Sequence, residues 1–404
     1  MHELDYAGKG FRGSMTVTSK QKDHRKARVP WWEQILRGER NGLLAQSVRR
    51  FAQLGSWGYA AGVKGRELAY RHGLLSVKRL PHPTICVGNI TVGGTGKTPL
   101  VIRLVSDLMA KGLRPAVLLR GYKREKSSHR PVLVRDARRI CATVAEAGDE
   151  AMELASRLPG ACVGVGADRH AVGNEILKHH PIDCFILDDG FQHHRLARDF
   201  NIVTVDVTDP WGGGRLLPAG LLREPPQALR RADAVVLTRA GLVGPDRLSV
   251  LRAEVAMHMN PSAALLESRH EPRQLISLQG RRILPPSELQ GKKVLAISAI
   301  GNPKAFENTL TQLGAQLVGT LRLADHSGRA EQVHEWIVRN RRHTEWILMT
   351  EKDAMRWGFS EGIPTGLEGL PAEAFALRME LVLSGGEDHW RQLISLVGRM
   401  VHAQ

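Results

Sequence analysis

An α/β fold with a doubly wound, mostly parallel sheet is predicted by three observations. Apolar runs of four or five residues alternate along the chain with helical stretches; each run ends in glycine or polar residues; and one of them leads through Thr91-Val92-Gly93-Gly94-Thr95-Gly96-Lys97-Thr98 into a helical pattern. Runs so short and so continuously apolar suit strands covered on both faces. Polar residues at their ends suit a ligand site along the carboxyl edge of the sheet.

At 404 residues the chain is long enough for two domains with unaided cores. Cys86, Cys141, Cys162 and Cys184 form no C-x-x-C pair and read as reduced thiols. Neither a cleavable leader nor a spanning apolar stretch is evident, so a cytoplasmic protein is expected.

Charge is uneven. Of 57 Lys and Arg against 41 Asp and Glu, the first 80 residues hold 16 basic and 6 acidic. Residues 1–28 read as a basic, disordered extension, within which Met15 is a second candidate start. Residues 29–80 crowd Trp31, Trp32, Trp57, Tyr59 and Tyr70 beside a helical stripe of Leu43, Leu44, Val48, Phe51 and Leu54, with arginines interleaved. Aromatic rings favour the headgroup zone and each basic residue near an anionic leaflet contributes about 1 kcal/mol, so an amphipathic helix lying on a membrane is the favoured reading. The stripe could instead pack on the protein's own core. Nucleic acid is disfavoured because no recognisable binding module accompanies the segment, and no obligate protein partner is evident.

Residues 81–205 carry the first α/β unit. Thr84-Ile85-Cys86-Val87 is a buried-strand pattern, followed by the glycine loop. Side chains are absent where backbone N–H groups must approach an anion, Lys97 adds a positive charge, and the Thr98 hydroxyl can ligate Mg²⁺. Thr91 stands where the strict G-x-x-x-x-G-K-[ST] pattern has Gly. Leu100, Val101, Leu104, Val105 and Leu108 then recur at helical spacing, with Pro99 in the first turn and Gly112 at the C-terminal cap. This strand, loop and helix make the unit P-loop NTPase-like. Strands follow at 116–119, 161–165 and 184–187, the last ending in Asp188-Asp189, where P-loop proteins supply a carboxylate to Mg²⁺. Gly148-Asp149-Glu150 opens a helix and offers a base or a further metal ligand.

A second, smaller α/β domain is expected over 206–385. The turn-rich Asp209-Pro210-Trp211-Gly212-Gly213-Gly214 follows the boundary, strands lie at 234–237, 294–297 and 346–349, and helices run near Pro303–Leu313 and Ala330–Arg339. A helix over 386–404 closes the chain.

The blocks from Val87 to Pro99, Arg120-Gly121-Tyr122, Gly148-Asp149-Glu150 and Asp188-Asp189-Gly190-Phe191-Gln192-His193 resemble those of the tetraacyldisaccharide 4′-kinase (lipid A 4′-kinase) family. Further matches are Leu217-Pro218-Ala219-Gly220, Leu222-Arg223-Glu224, Ile300-Gly301-Asn302-Pro303, Ala324-Asp325-His326 and Thr350-Glu351-Lys352-Asp353. The likeness runs from about Trp31 to the C-terminus, and the family's loop commonly lacks the first Gly. It implies transfer of the γ-phosphoryl of ATP, with Mg²⁺, to the 4′-hydroxyl of an acylated glucosamine disaccharide 1-phosphate. It also implies a peripheral location at the cytoplasmic face of the bacterial inner membrane, an anionic surface on which the N-terminal helix docks. By the same resemblance residues 91–98 bind the nucleotide, Thr98, Glu150, Asp188 and Asp189 form the metal shell, and Asp149 with His326 is the catalytic dyad. Arg120, Arg169, Gln192 and Arg223 are candidate contacts to the substrate. A nucleotide-hydrolysing switch or assembly protein at the membrane is the alternative that the loop and Asp188 alone also allow.

Overall fold

The computed structural model describes residues 42–121, 130–278, 282–300, 303–323, 330–340, 342–357 and 373–402. The extension 1–28, Trp31, Trp32, Tyr122, Asp325 and His326 lie outside the described residues.

Among the described residues thirteen strands form one sheet. They are β1 Thr84–Asn89, β2 Pro115–Leu119, β3 Val132–Arg135, β4 Cys162–Val165, β5 Cys184–Asp188, β6 Phe200–Asp206, β7 Ala234–Thr238, β8 Ala264–Ser277, β9 Ile283–Leu284, β10 Lys293–Ser298, β11 Gln316–Arg322, β12 Trp346–Thr350 and β13 Glu373–Gly385. Their order is β11-β10-β12-β13-β8-β7-β6-β1-β5-β2-β4-β3, with β9 beside β8. All pairings are parallel except β3 with β4, β8 with β13 and β8 with β9. Every residue of β1, β2 and β5 is buried, as strands covered by helices on both faces must be.

The covering helices obey their sequence periodicity. Helix Lys97–Ala110 buries Leu100, Val101, Leu104, Val105 and Leu108 against one face of the sheet, and Gly112 just beyond it has φ 81°. Helix Asp149–Arg157 buries Ala151, Leu154 and Ala155 on the same face. On the other face helix Arg169–Leu177 starts from Asp168, whose carboxylate accepts the N–H groups of His170 and Ala171 at 3.0 and 3.2 Å.

The cores correct the expected boundary near residue 205. β7 pairs with β6, so the first sheet continues past that point. Two apolar clusters, one on each face, hold residues from Leu80 to Leu266 together with Leu381 to Val397; two others hold only residues from Leu275 to Leu377. The division therefore crosses the middles of the long strands β8 and β13, which pair antiparallel from Phe375 opposite Ser277 to Gly385 opposite Glu267. The helix expected over 386–404 runs Glu387–His402 and packs in the first lobe: Trp390, Leu393, Ile394 and Val397 lie in the core that contains Leu104 and Leu108.

Candidate active site

The glycine loop is anchored before it reaches its open part. Gly88 lies so close to the following loop that a Cβ there would sit 2.5 Å from the Phe191 Cβ. Asn89 Nδ2 donates to the Thr91 carbonyl at 2.7 Å, buried Thr91 bridges Leu222, and the Val92 N–H donates to the Leu221 carbonyl at 2.7 Å. The Val92 amide is therefore committed to the protein, so Thr91 and Val92 serve as the root of the loop. Gly93 and Gly94 are exposed, and Gly93 and Gly96 have φ of 113° and 83°, a region that favours residues without a Cβ. The Thr95 hydroxyl turns inward to that of Thr204 at 2.8 Å. Lys97 and Thr98 form the first turn of the following helix, whose unpaired N–H groups and positive dipole end suit an anion.

Asp188 ends β5, opposite Val87 of β1. Burial pushes its carboxyl up to about 7; nearby Lys97 opposes that, while Asp189 and Glu150 add to it. Its Oδ1 is buried without a hydrogen-bond partner among the described residues. An orphaned carboxylate oxygen beside the hydroxyl-bearing first turn of a phosphate-loop helix fits a divalent cation. Among the described residues no three His, Cys, Asp or Glu side chains are grouped as a metal cage, and a cation held by Thr98, one carboxylate, phosphate oxygens and water requires none. Asp189 differs. Burial would raise its pKa, but Lys97 at 3.5 Å and Arg223, whose Nη1 lies 2.9 Å from both carboxylate oxygens, outweigh it and hold the group below its ordinary value.

The remaining candidates occupy different surroundings. Asp149 is the first residue of its helix, and its Oδ2 lies 3.8 Å from Arg356 Nε across the lobe junction. Arg356 is held in turn by Asp353 at 3.0 Å and by the Ala299 carbonyl at 3.3 Å. The partner expected for Asp149, His326, is not among the described residues. Arg120 is exposed at the end of β2. Arg169 is buried and donates to the Ala167 carbonyl at 3.1 Å; burial, then Arg120, lowers its pKa, against the pull of Asp189 and Asp188. Gln192 donates both amide hydrogens to the protein, to the Asn89 carbonyl at 2.8 Å and Glu224 Oε1 at 2.9 Å, and so braces the loop root. Burial, then Arg169, lowers His193 to about 4, leaving a neutral imidazole at pH 7.

Comparison with known proteins decides the assignment. The family model described as tetraacyldisaccharide-1-P 4′-kinase matches residues 49–395. The chain belongs to this family. Tetraacyldisaccharide 4′-kinases of Geobacter sulfurreducens and Geobacter metallireducens are 38% and 41% identical over 327 and 305 residues, covering 81% and 74% of this chain and 89% and 86% of theirs. The crystal structure of LpxK from Aquifex aeolicus in complex with ATP is 30% identical, covers 88% of this chain and 99% of its own, and superimposes with a TM-score of 0.68. As a member of the tetraacyldisaccharide-1-P 4′-kinase family, the protein is a phosphotransferase.

One part of the kinase site is not deducible from motif spacing. The N-terminal helix Leu43–Arg71 is fastened to the loop root through residues 216–223. Ser56 Oγ donates to the Leu216 carbonyl at 2.7 Å and accepts the Ala219 N–H at 3.1 Å, and Tyr59 donates to the Arg223 carbonyl at 3.1 Å. The same segment supplies Leu221 and Leu222 to the loop root, and the Arg223 N–H to the Ile90 carbonyl at 2.7 Å. A serine and a tyrosine in an apolar stripe carry no signal for such pairing.

Proposed function

We propose that this kinase transfers the γ-phosphoryl of ATP, with Mg²⁺, to the 4′-hydroxyl of an acylated glucosamine disaccharide 1-phosphate in lipid A synthesis. The observation that carries the reading is the convergence of Lys97, Asp189 and Arg223 beside the orphaned Asp188 at the sheet's carboxyl edge. Lys97 and the amides of residues 93–98 would hold the phosphate oxygens; Thr98 and Asp188 would hold Mg²⁺, with Asp189 and Glu150 acting through its water ligands. Bound there, the cation neutralises charge on the phosphates. Asp149 with His326 removes the proton of the attacking hydroxyl as its oxygen bonds to phosphorus and the bond to ADP breaks; a base so placed contributes roughly 10²–10⁴ in rate. With Asp149 in one lobe and His326 following a strand of the other, closure of the lobes would assemble the base. Arg169, which feels the charges of Asp189, Asp188 and Arg120, would meet acidic groups of the substrate together with Arg120.

We place this work at the cytoplasmic face of the inner membrane, and docking on a membrane surface is supported by the N-terminal helix. Phe51, Leu54 and Trp57 are 74%, 58% and 67% exposed, with the exposed Arg50 and Arg66 on the same helix. Among the described residues no helix is long and apolar enough to cross a membrane, which fits docking in the interface.

The test is incubation with γ-labelled ATP and the acylated disaccharide 1-phosphate. Label is expected in the lipid, falling by about 10²–10³ in Lys97→Ala and by roughly 10²–10⁴ in Asp149→Ala. Release of labelled phosphate with no lipid product would overturn the kinase reading.

A further inference from the structure

The open part of the phosphate loop is gripped from behind by the end of β7. The carbonyls of two successive residues are both taken: Arg239 Nη2 donates to Gly94 O at 2.9 Å and Thr238 Oγ1 donates to Thr95 O at 2.8 Å. In a planar trans peptide the C=O and N–H of one unit point in opposite directions. Turning the Gly94 carbonyl toward Arg239 therefore turns the Thr95 N–H away from β7, and turning the Thr95 carbonyl toward Thr238 does the same for the Gly96 N–H. Successive N–H groups presented together in this way form a concavity for an anion.

The two gripping residues are themselves held firmly. Thr238 is fully buried, and its Cγ2 would lie 3.2 Å from a Cβ placed on Gly96, so the loop sits directly on it. Arg239 has a left-handed backbone, φ 61°, which is uncommon for a residue with a Cβ and persists where the surroundings over-determine it. Its Nη1 pairs with Asp206 at the end of β6. Asp206 Oδ1 in turn accepts the N–H and the hydroxyl of Thr208 at 2.9 and 2.7 Å.

We propose that Thr238 and Arg239 are positioning residues for ATP: they fix two successive peptide units so that the Thr95 and Gly96 N–H groups face the phosphates before nucleotide arrives. This rests on the reading that residues 93–98 hold the phosphates. Neither residue touches the reacting atoms; both act through the loop backbone.

The test is ATP binding to the full chain without lipid, by equilibrium dialysis with labelled ATP, for wild type, Thr238→Val, Arg239→Gln, Arg239→Lys and Lys97→Ala. Valine keeps the shape of threonine and removes only the hydroxyl. Losing one such hydrogen bond is expected to weaken ATP binding about tenfold in Thr238→Val and Arg239→Gln. Arg239→Lys should recover part of the loss. In steady state the effect should fall on KM for ATP, with KM for the lipid unchanged and kcat within about twofold. If both variants bind ATP like wild type while Lys97→Ala does not, the positioning role is overturned. A fall in kcat and a rise in both KM values together, with a lowered unfolding midpoint, would also overturn it, because that is what general structural damage produces. If wild type itself binds no ATP, the reading of the loop fails instead.

Discussion

Asp188 and Asp189 are adjacent carboxylates with opposite electrostatics. The left-handed φ of 53° at Asp189 turns the chain where the strand ends. Asp188 stays in the buried edge with its carboxyl raised to about 7, and Asp189 meets Lys97 and Arg223. Identical side chains thus acquire different roles from burial and neighbours. The histidines follow the same rule. Burial, then Arg231, lowers His194 to about 3; burial, then Arg239, lowers His270 to about 4. An imidazole kept neutral in the fold contributes stability that is present above its unfolded pKa of 6.5 and is lost as pH falls toward 4. Glu153, raised by burial to about 7 from 4.5, works the other way: its contribution is lost as pH rises through that window. The two kinds offset one another in the total curve, so the difference between variants is the informative quantity. Urea unfolding of wild type and His270→Gln from pH 7 to 4 should show wild type losing stability relative to the variant below about pH 6.5; parallel curves would contradict a buried neutral His270.

At the scale of elements, the amphipathic stripe of the N-terminal region was legible in sequence, and the helix Leu43–Arg71 carries it. The spacing of apolar residues could not say which of them faces the protein. The structure buries Ser56 against residues 216–219 and leaves Phe51, Leu54 and Trp57 in solvent. Full burial of a large apolar side chain is worth about 1.5–3 kcal/mol. Replacing Phe51, Leu54 and Trp57 together by Ser should therefore lower partitioning onto anionic phospholipid vesicles at least ~10-fold while leaving ATP affinity unchanged; sedimentation with vesicles measures this, and undiminished binding would remove the helix from membrane docking. Among strands, β1, β2, β4, β5, β7, β10 and β12 were legible because each is built around a short, buried, mostly apolar run covered on both faces. β8 and β13 were not. Each serves two lobes along its length and mixes charged and apolar residues, as in Glu267-Ser268-Arg269-His270-Glu271. β11 escaped for a simpler reason: at the sheet edge, with none of its residues buried, it needs no apolar run.

At the scale of the whole molecule, two lobes share one sheet, and contacts between them cross at helix Asp149–Arg157. Arg157 Nη1 meets Glu351 Oε2 at 2.8 Å with both side chains largely buried, and Arg356 reaches Asp149 beside it. A candidate base is thereby tied to the other lobe. The C-terminal helix closes the molecule from the opposite direction, Trp390 filling the first lobe's core and donating Nε1 to Asp107 at 2.7 Å. Trp390→Ala should destabilise the protein by about 3–5 kcal/mol in denaturant unfolding, the usual cost of emptying such a site. Turnover per folded molecule should change little, since Trp390 lies away from the loop; a stability loss below about 1 kcal/mol would show that the helix is peripheral to the core.

The sequence by itself determined the α/β class, the phosphate loop with Lys97 and Thr98, the acidic pair after β5, and the amphipathic helix. All are local, because short-range periodicity and close backbone approach dictate residue type directly. Only the tertiary structure decided that the lobes divide across β8 and β13, that Val92 is spent on the loop root, that Arg223 belongs to Asp189, and that Thr238 and Arg239 aim the loop. Each depends on groups far apart in the chain meeting at one sheet edge, and nothing in the spacing of residues records which distant partner a hydrogen bond or charge will find.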